Sequence, residues 1–244
     1  MKNNLISYKE YKSLANHQSI MTHQGFGDHI ICNGLIRQLQ TGDDKLFVFC
    51  KQSRVTLVSH MYRDNENIVV VSYPDSQENI VAHNQSSNEL CLMLGCWSNL
   101  PYQNHYDSFD VGFYKQANLD FSTRFSNFYL QRNMQKELEI MNKYGVSKSS
   151  EYIFIHEDES RGFVSDRQKI RKDLKIIENN KEDNFFHYGL LFENAKELHL
   201  MPSGIYDFVN SMTNISGKIF LHRYMRNLNP FLVAKTNHYV NHLF

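Results

Sequence analysis

Four short segments of the chain gather residue types that do chemistry. The first, His23-Gln24-Gly25-Phe26-Gly27-Asp28-His29-Ile30-Ile31, sets two glycines and an acid between a short apolar stretch and an amphipathic one. Gly25 and Gly27 permit a tight turn or close backbone approach. The carboxylate of Asp28 falls where it either caps a helix or faces a substrate. The second segment, His156-Glu157-Asp158-Glu159-Ser160-Arg161-Gly162-Phe163, follows an apolar run. Arg161 there could clamp a phosphate bidentately, or the three acids and one arginine could form a solvated salt-bridged loop. The third is Met201-Pro202-Ser203-Gly204, in which Ser203 is a natural N-cap and the N–H groups from Gly204 onward could hold an anion. The fourth, His222-Arg223-Tyr224-Met225-Arg226, adds two cations that either reach the same site or remain surface charges.

The flanking patterns supply the elements that must position these groups. Ser19–Thr22 reads as a strand ahead of the glycine turn, and Ile30, Ile31, Leu35, Ile36 and Leu39 recur behind it at helical spacing. Strand-length runs follow at 45–50, 67–71 and 90–94, with a helical pattern at Val55, Leu57, Val58 and Met61. Residues 106–145 change to aromatic-rich helices, read as a connector. A second alternation then places strands at 151–156, 174–177, 197–201 and 218–222, with helices at 184–195 and 203–212. Strands alternating with helices predict parallel βαβ units, an α/β chain of two Rossmann-like sheets. In such sheets ligands bind beyond the carboxyl ends of the strands, where all four segments fall. The expected division is 1–146, 147–228 and a C-terminal helix over 229–244 that packs back on the body. Residues 1–17 are expected as a helix or an extended arm.

Composition narrows the function classes. Lys plus Arg and Asp plus Glu both number 26, so no global field recruits nucleic acid. Any phosphate site must be local. No apolar run reaches the roughly 20 residues of a membrane helix, and the polar N-terminus does not resemble a signal peptide. The expected location is therefore the cytoplasm. Cys32, Cys50, Cys91 and Cys96 lack paired spacing, and buried free thiols are expected rather than zinc or disulfides. His60, His83, His105, His187 and His238 show no ligand spacing, so no metal is expected. The glycine turn is not a dinucleotide fingerprint, because Ile30 stands where the third glycine should, and no Gly-Lys-Ser/Thr follows to make a P-loop.

The His23–Ile30 motif resembles the opening strand, Gly-Asp turn and helix of the GT-B glycosyltransferases, in particular their heptosyltransferase-like branch, glycosyltransferase family 9. The resemblance implies two Rossmann-like domains facing a cleft, with Asp28 as the base that activates an acceptor hydroxyl and Gly25, Gly27 and His29 on the acceptor side. The later half looks like the nucleotide-sugar domain, in which Ser160, Arg161, Ser203, Gly204 and Arg223 would hold the donor phosphates. The implied reaction is metal-independent, inverting transfer of a hexosyl- or heptosyl-type sugar in glycan biosynthesis. A nucleotide-diphosphate sugar is the donor substrate, a glycan or other hydroxyl the acceptor, and no further cofactor is implied. Peripheral contact with a membrane surface and the oligomeric state stay open. A non-catalytic nucleotide- or glycan-binding module of the same fold is the alternative, followed by a small α/β reductase or methyltransferase.

Overall fold

Strands buried on both faces must be apolar at every position, and this rule picks out the centres of two sheets. A computed structural model describes residues 4–14, 17–23, 25–95, 108–225 and 237–244. By its internal contacts the chain divides into two compact units, with the break between Gln131 and Arg132.

The first unit contains, in order, β1 (Leu5–Ser7), α1 (Tyr8–Tyr11), β2 (Ser19–Met21), α2 (Phe26–Ile31), α3 (Asn33–Leu39), β3 (Leu46–Lys51), α4 (Val55–Met61), β4 (Ile68–Tyr73), α5 (Glu78–Ser86), β5 (Cys91–Met93), α6 (Phe109–Gln116) and α7 (Thr123–Ser126). Its strands form one parallel sheet in the order β1-β4-β3-β2-β5. β3 and β4 are buried almost throughout, whereas the edge strands β1 and β5 are only partly covered. The stretch 1–17, expected as a helix or an extended arm, holds both a strand, β1, which pairs Leu5 with Val70, and the short helix α1. The helix expected behind the glycine turn is broken at Cys32 into α2 and α3. A Cβ on Gly34 would stand 2.4 Å from the Thr123 carbonyl oxygen, so α3 and α7 pack backbone on backbone.

The second unit contains α8 (Met134–Lys143), β6 (Tyr152–Ile155), β7 (Lys175–Glu178), α9 (Gly189–Asn194), β8 (Glu197–Leu200), α10 (Gly204–Ser211), β9 (Lys218–His222) and β10 (Val240–Leu243). Its parallel sheet has the order β10-β9-β8-β6-β7. Two parallel sheets with intervening helices bear out the α/β, two-Rossmann-like reading. The expected C-terminal helix is corrected: of 229–244, residues 229–236 lie outside the described residues and Val240–Leu243 is a strand beside β9. Its placement at the sheet edge supplies the backbone partners that a helix would have found within itself. α8 belongs to this unit, because fully buried Glu137 accepts the Leu190 N–H at 2.8 Å and pairs with Arg132. Arg132 in turn reaches Glu193 at 2.5 Å. Among the described residues no helix is long and apolar enough to cross a membrane.

Candidate functional site

In the first sheet the chain passes from β2 outward through β3 and β4, then returns to place β5 on the other side of β2. The loops that leave the adjacent strands β2 and β5 therefore diverge, leaving the crevice that open parallel sheets use for ligands. The His23–Asp28 turn leaves β2 at this point, and Gly95 follows β5. The two loops touch. Gly95 has φ +73°, and a Cβ there would stand 2.8 Å from the His23 Cβ and 2.9 Å from the Phe113 ring. Phe109 closes on the His23 ring edge-on at 5.5 Å, so the aromatic segment walls the turn. Tyr114 supports it from beneath, donating its hydroxyl to the Ile31 carbonyl at 2.8 Å where α2 ends.

Within the turn, Asp28 Oδ2 accepts the Gly25 N–H at 2.7 Å, which satisfies one of the donors a helix start leaves over. The carboxylate thereby acts as a local brace while retaining partial exposure. His23 Nδ1 stands 3.5 Å from the same oxygen, too far for a good hydrogen bond. Burial lowers the pKa of His23, so its neutral ring lies beside the acid. His29, expected on the acceptor side, faces the interior and is fully buried, and neither ring nitrogen has a hydrogen-bond partner. Burial, with Arg54 and Lys51 adding to it, brings its pKa down to about 4. Gln24 lies outside the described residues. Cys32 and Cys50 are buried free thiols and Cys91 is free and partly buried, while Cys96 lies outside the described residues.

The second sheet reverses between β6 and β8, so its crevice is flanked by the loops that carry Glu157–Ser165 and Ser203. Arg223 follows β9, the next strand along the same carboxyl edge. The three predicted donor segments thus share one edge of one sheet, but their side chains have local partners. Arg161 Nε pairs with Asp158 at 2.5 Å, and its guanidinium lies 5.1 Å from the centre of the Phe163 ring. Lys181 also reaches Asp158, at 2.8 Å, and Ser160 donates to it at 2.7 Å. Desolvation would raise the Asp158 pKa, but Lys181, Ser160 and Arg161 outweigh it and hold the carboxyl well below the usual range.

Glu157, which the sequence places in the same acidic run, is buried and turns inward. It accepts the Ser165 N–H at 2.8 Å and an Arg167 bond at 2.9 Å. Ser203 accepts the Tyr206 N–H at 3.4 Å as the N-cap of α10, and Gly204 opens that helix. Arg223 differs from Arg161. Its guanidinium lies 5.3 Å from the centre of the Phe244 ring, its buried Nη2 has no hydrogen-bond partner, and no described carboxylate pairs with it. Arg226 lies outside the described residues.

Sequence reasoning missed two features of this edge. His156, just after β6, shares Asn179 Oδ1 with the Glu157 N–H at 3.0 and 2.8 Å, and burial lowers its pKa. His199 and His222 meet across β8 and β9, Nδ1 to Nε2, at 2.8 Å. A histidine in each of two adjacent predicted parallel strands was the available signal, but the contact depends on the register between the strands.

No family model matches the sequence, and no curated protein matches it. Solved structures do match the fold. A glycosyl transferase family 9 structure from Veillonella parvula superposes with a TM-score of 0.60 over 93% of this chain and 86% of its own, at 10% identity. The ADP-heptose LPS heptosyltransferase II of E. coli superposes with a TM-score of 0.51 over 93% of this chain and 90% of its own, also at 10% identity.

Proposed function

We propose, starting from the fold shared with those glycosyltransferases, that the chain is an inverting, metal-independent glycosyltransferase. The observation that carries this reading is the position of Asp28: an acid on a glycine turn at the point where the first sheet reverses its strand order. Its carboxylate would take the acceptor hydroxyl proton as the acceptor oxygen attacks the anomeric carbon. The bond from that carbon to the donor phosphate then breaks, and the nucleoside diphosphate leaves with the electron pair. General-base assistance of this kind contributes roughly a hundredfold to ten-thousandfold.

Charge builds on the leaving diphosphate, so preorganised cations and N–H donors at the second sheet's carboxyl edge would lower the barrier. Arg223 fits this role best, because phosphate would give its unpartnered Nη2 an acceptor. Arg161 and Ser160 would have to leave Asp158, and the N–H groups from Gly204 onward would complete the site alongside Ser203. A cytoplasmic role in glycan biosynthesis belongs to the same reading. Incubation with a panel of nucleotide-diphosphate sugars and glycan acceptors, followed by detection of released nucleoside diphosphate, tests it. Thermal stabilisation by a donor together with acceptor-dependent release is the expected outcome, and absence of both defeats the proposal.

One observation favours the non-catalytic binding module: Arg161 and Lys181 are both engaged by Asp158 and so are less able to follow charge building on a leaving diphosphate. That module would bind a nucleotide or glycan tightly with no transfer or donor hydrolysis across the panel.

A further inference from the structure

A continuous line of hydrogen bonds runs through the second sheet, and its proton positions follow from chemistry. Glu197 Oε2 lies 3.1 Å from His199 Nε2. A carboxylate only accepts, so His199 carries its proton on Nε2. Burial lowers the pKa of His199, which leaves Nδ1 as a bare acceptor toward His222 Nε2 at 2.8 Å. His222 must then hold its proton on Nε2. Its own pKa is brought down to about 4 by burial, with His199 adding to it, so its Nδ1 accepts from the Tyr224 hydroxyl at 2.8 Å. That hydroxyl oxygen finally accepts the Asp166 N–H at 2.7 Å.

Every donor in the line points toward Glu197, an arrangement in which each bond polarises the next. The charged groups around it are Arg171, 3.6 Å from Glu197, with Arg167, Lys169, Asp166 and Glu157 near the histidines and Tyr224. Lys169 Nζ lies 4.4 Å from the centre of the Tyr224 ring, and the Phe220 ring stacks on His199 at 4.7 Å.

We infer that Glu197, His199, His222 and Tyr224 form a polarised relay whose last bond, from the Asp166 N–H to the Tyr224 hydroxyl, fixes the loop after β6 for a nucleoside diphosphate. The choice of ligand rests on the function proposed above; the relay does not. His199, His222 and Tyr224 are thus positioning residues. The relay is anchored in the sheet at Glu197, and the loop holding Ser160 and Arg161 hangs from its far end. It also has a second polarity. A proton added at His199 makes both of its nitrogens donors, so His222 accepts at Nε2 and donates from Nδ1. Tyr224 then accepts from His222 and Asp166 together, and its O–H turns out of the line. One proton beside Glu197 therefore redirects a hydroxyl at the loop.

The test uses the full chain and Tyr224→Phe, which keeps the ring under Lys169 and removes only the hydroxyl. In the unsubstituted protein at pH 7.5, nitrogen NMR is expected to find both histidines neutral with the proton on Nε2. In Tyr224→Phe, amide exchange at Asp166 should accelerate about tenfold, the loss of one hydrogen bond. The tautomer bias of His222 should weaken, and the affinity for ADP, UDP or GDP should fall by a similar factor. Protons on Nδ1 in the unsubstituted protein, or unchanged exchange at Asp166 in the variant, overturn the relay. If the tautomers and the exchange behave as expected while none of the three nucleotides binds the unsubstituted protein, the nucleotide reading falls and the relay stands.

Discussion

Asp28 Oδ2 accepts the Gly25 N–H at 2.7 Å, so the acid proposed to take a proton from the acceptor also holds its own turn in shape. The bond fixes the direction in which the carboxylate points. Orientation and chemistry are therefore separable by substitution.

Asp28→Asn retains an oxygen that can accept the Gly25 N–H and loses the ability to take a proton. Turnover should fall by about a hundredfold or more, with the melting temperature and donor affinity nearly unchanged. Gly25→Ala tests orientation instead. The Gly25 backbone, at φ −74°, suits any residue, but the new Cβ would stand 2.5 Å from Asp28 Oδ2 and push the carboxylate aside. Steady-state kinetics should show kcat falling in both variants. Full turnover in Asp28→Asn removes the residue from the mechanism.

The two arginines should differ in a calorimetric titration with nucleoside diphosphate. Arg223 lacks a carboxylate partner among the described residues, whereas Arg161 must first leave Asp158. Arg223→Ala should weaken binding by about tenfold or more, in keeping with a lost charge-assisted hydrogen bond. Arg161→Ala should cost less, because part of its attraction is already spent. Equal, undiminished affinity in both variants would dismiss the phosphate roles.

Stability should decline on mild acidification. His29 and His222 have folded-state pKa values near 4, below the ordinary histidine value of 6.5. The unfolded chain therefore takes up protons first. The stabilisation is fully present above pH 6.5, drains away as the pH falls toward 4, and changes little further below that. Each histidine contributes at most on the order of 3 kcal/mol across this window. Urea denaturation at pH 7.5, 6 and 5 should show the midpoint falling, and a flat profile would contradict the buried neutral rings.

Gly34→Ala should destabilise the first unit by roughly 1–3 kcal/mol, the usual penalty for overpacking. The added methyl would meet the Thr123 carbonyl oxygen at 2.4 Å, and backbone cannot swing away as a flexible side chain would. A midpoint equal to that of the unsubstituted protein would show that α3 and α7 can part without loss.

The centres of both sheets were legible in the sequence because Leu46–Cys50, Ile68–Val71 and Tyr152–Ile155 are buried on both faces and must be apolar throughout. The glycine turn was legible for a similar reason, since few other residues allow that approach. β1 and β10 were not. Each is a short, half-exposed edge strand whose run carries no strong alternation, and β1 also depends on a partner far along the chain. The burial of His29 and of Glu157 was equally hidden, because turn position alone does not say which way a side chain faces. The relay depends on register: His199 lies opposite Phe220 and meets His222 only on the diagonal.

The place of β1 beside β4 also orders events during synthesis. β2 and β3 can pair soon after both leave the ribosome, but β1 emerges before them and has no partner until β4 follows. Its backbone donors and acceptors must wait in water through the making of the whole intervening βαβ unit, a long loop closure that slows this pairing. A nascent chain stalled ahead of Ile68 would therefore carry an unattached N-terminal segment, open to a chaperone or a protease, that withdraws from reach once β4 is translated.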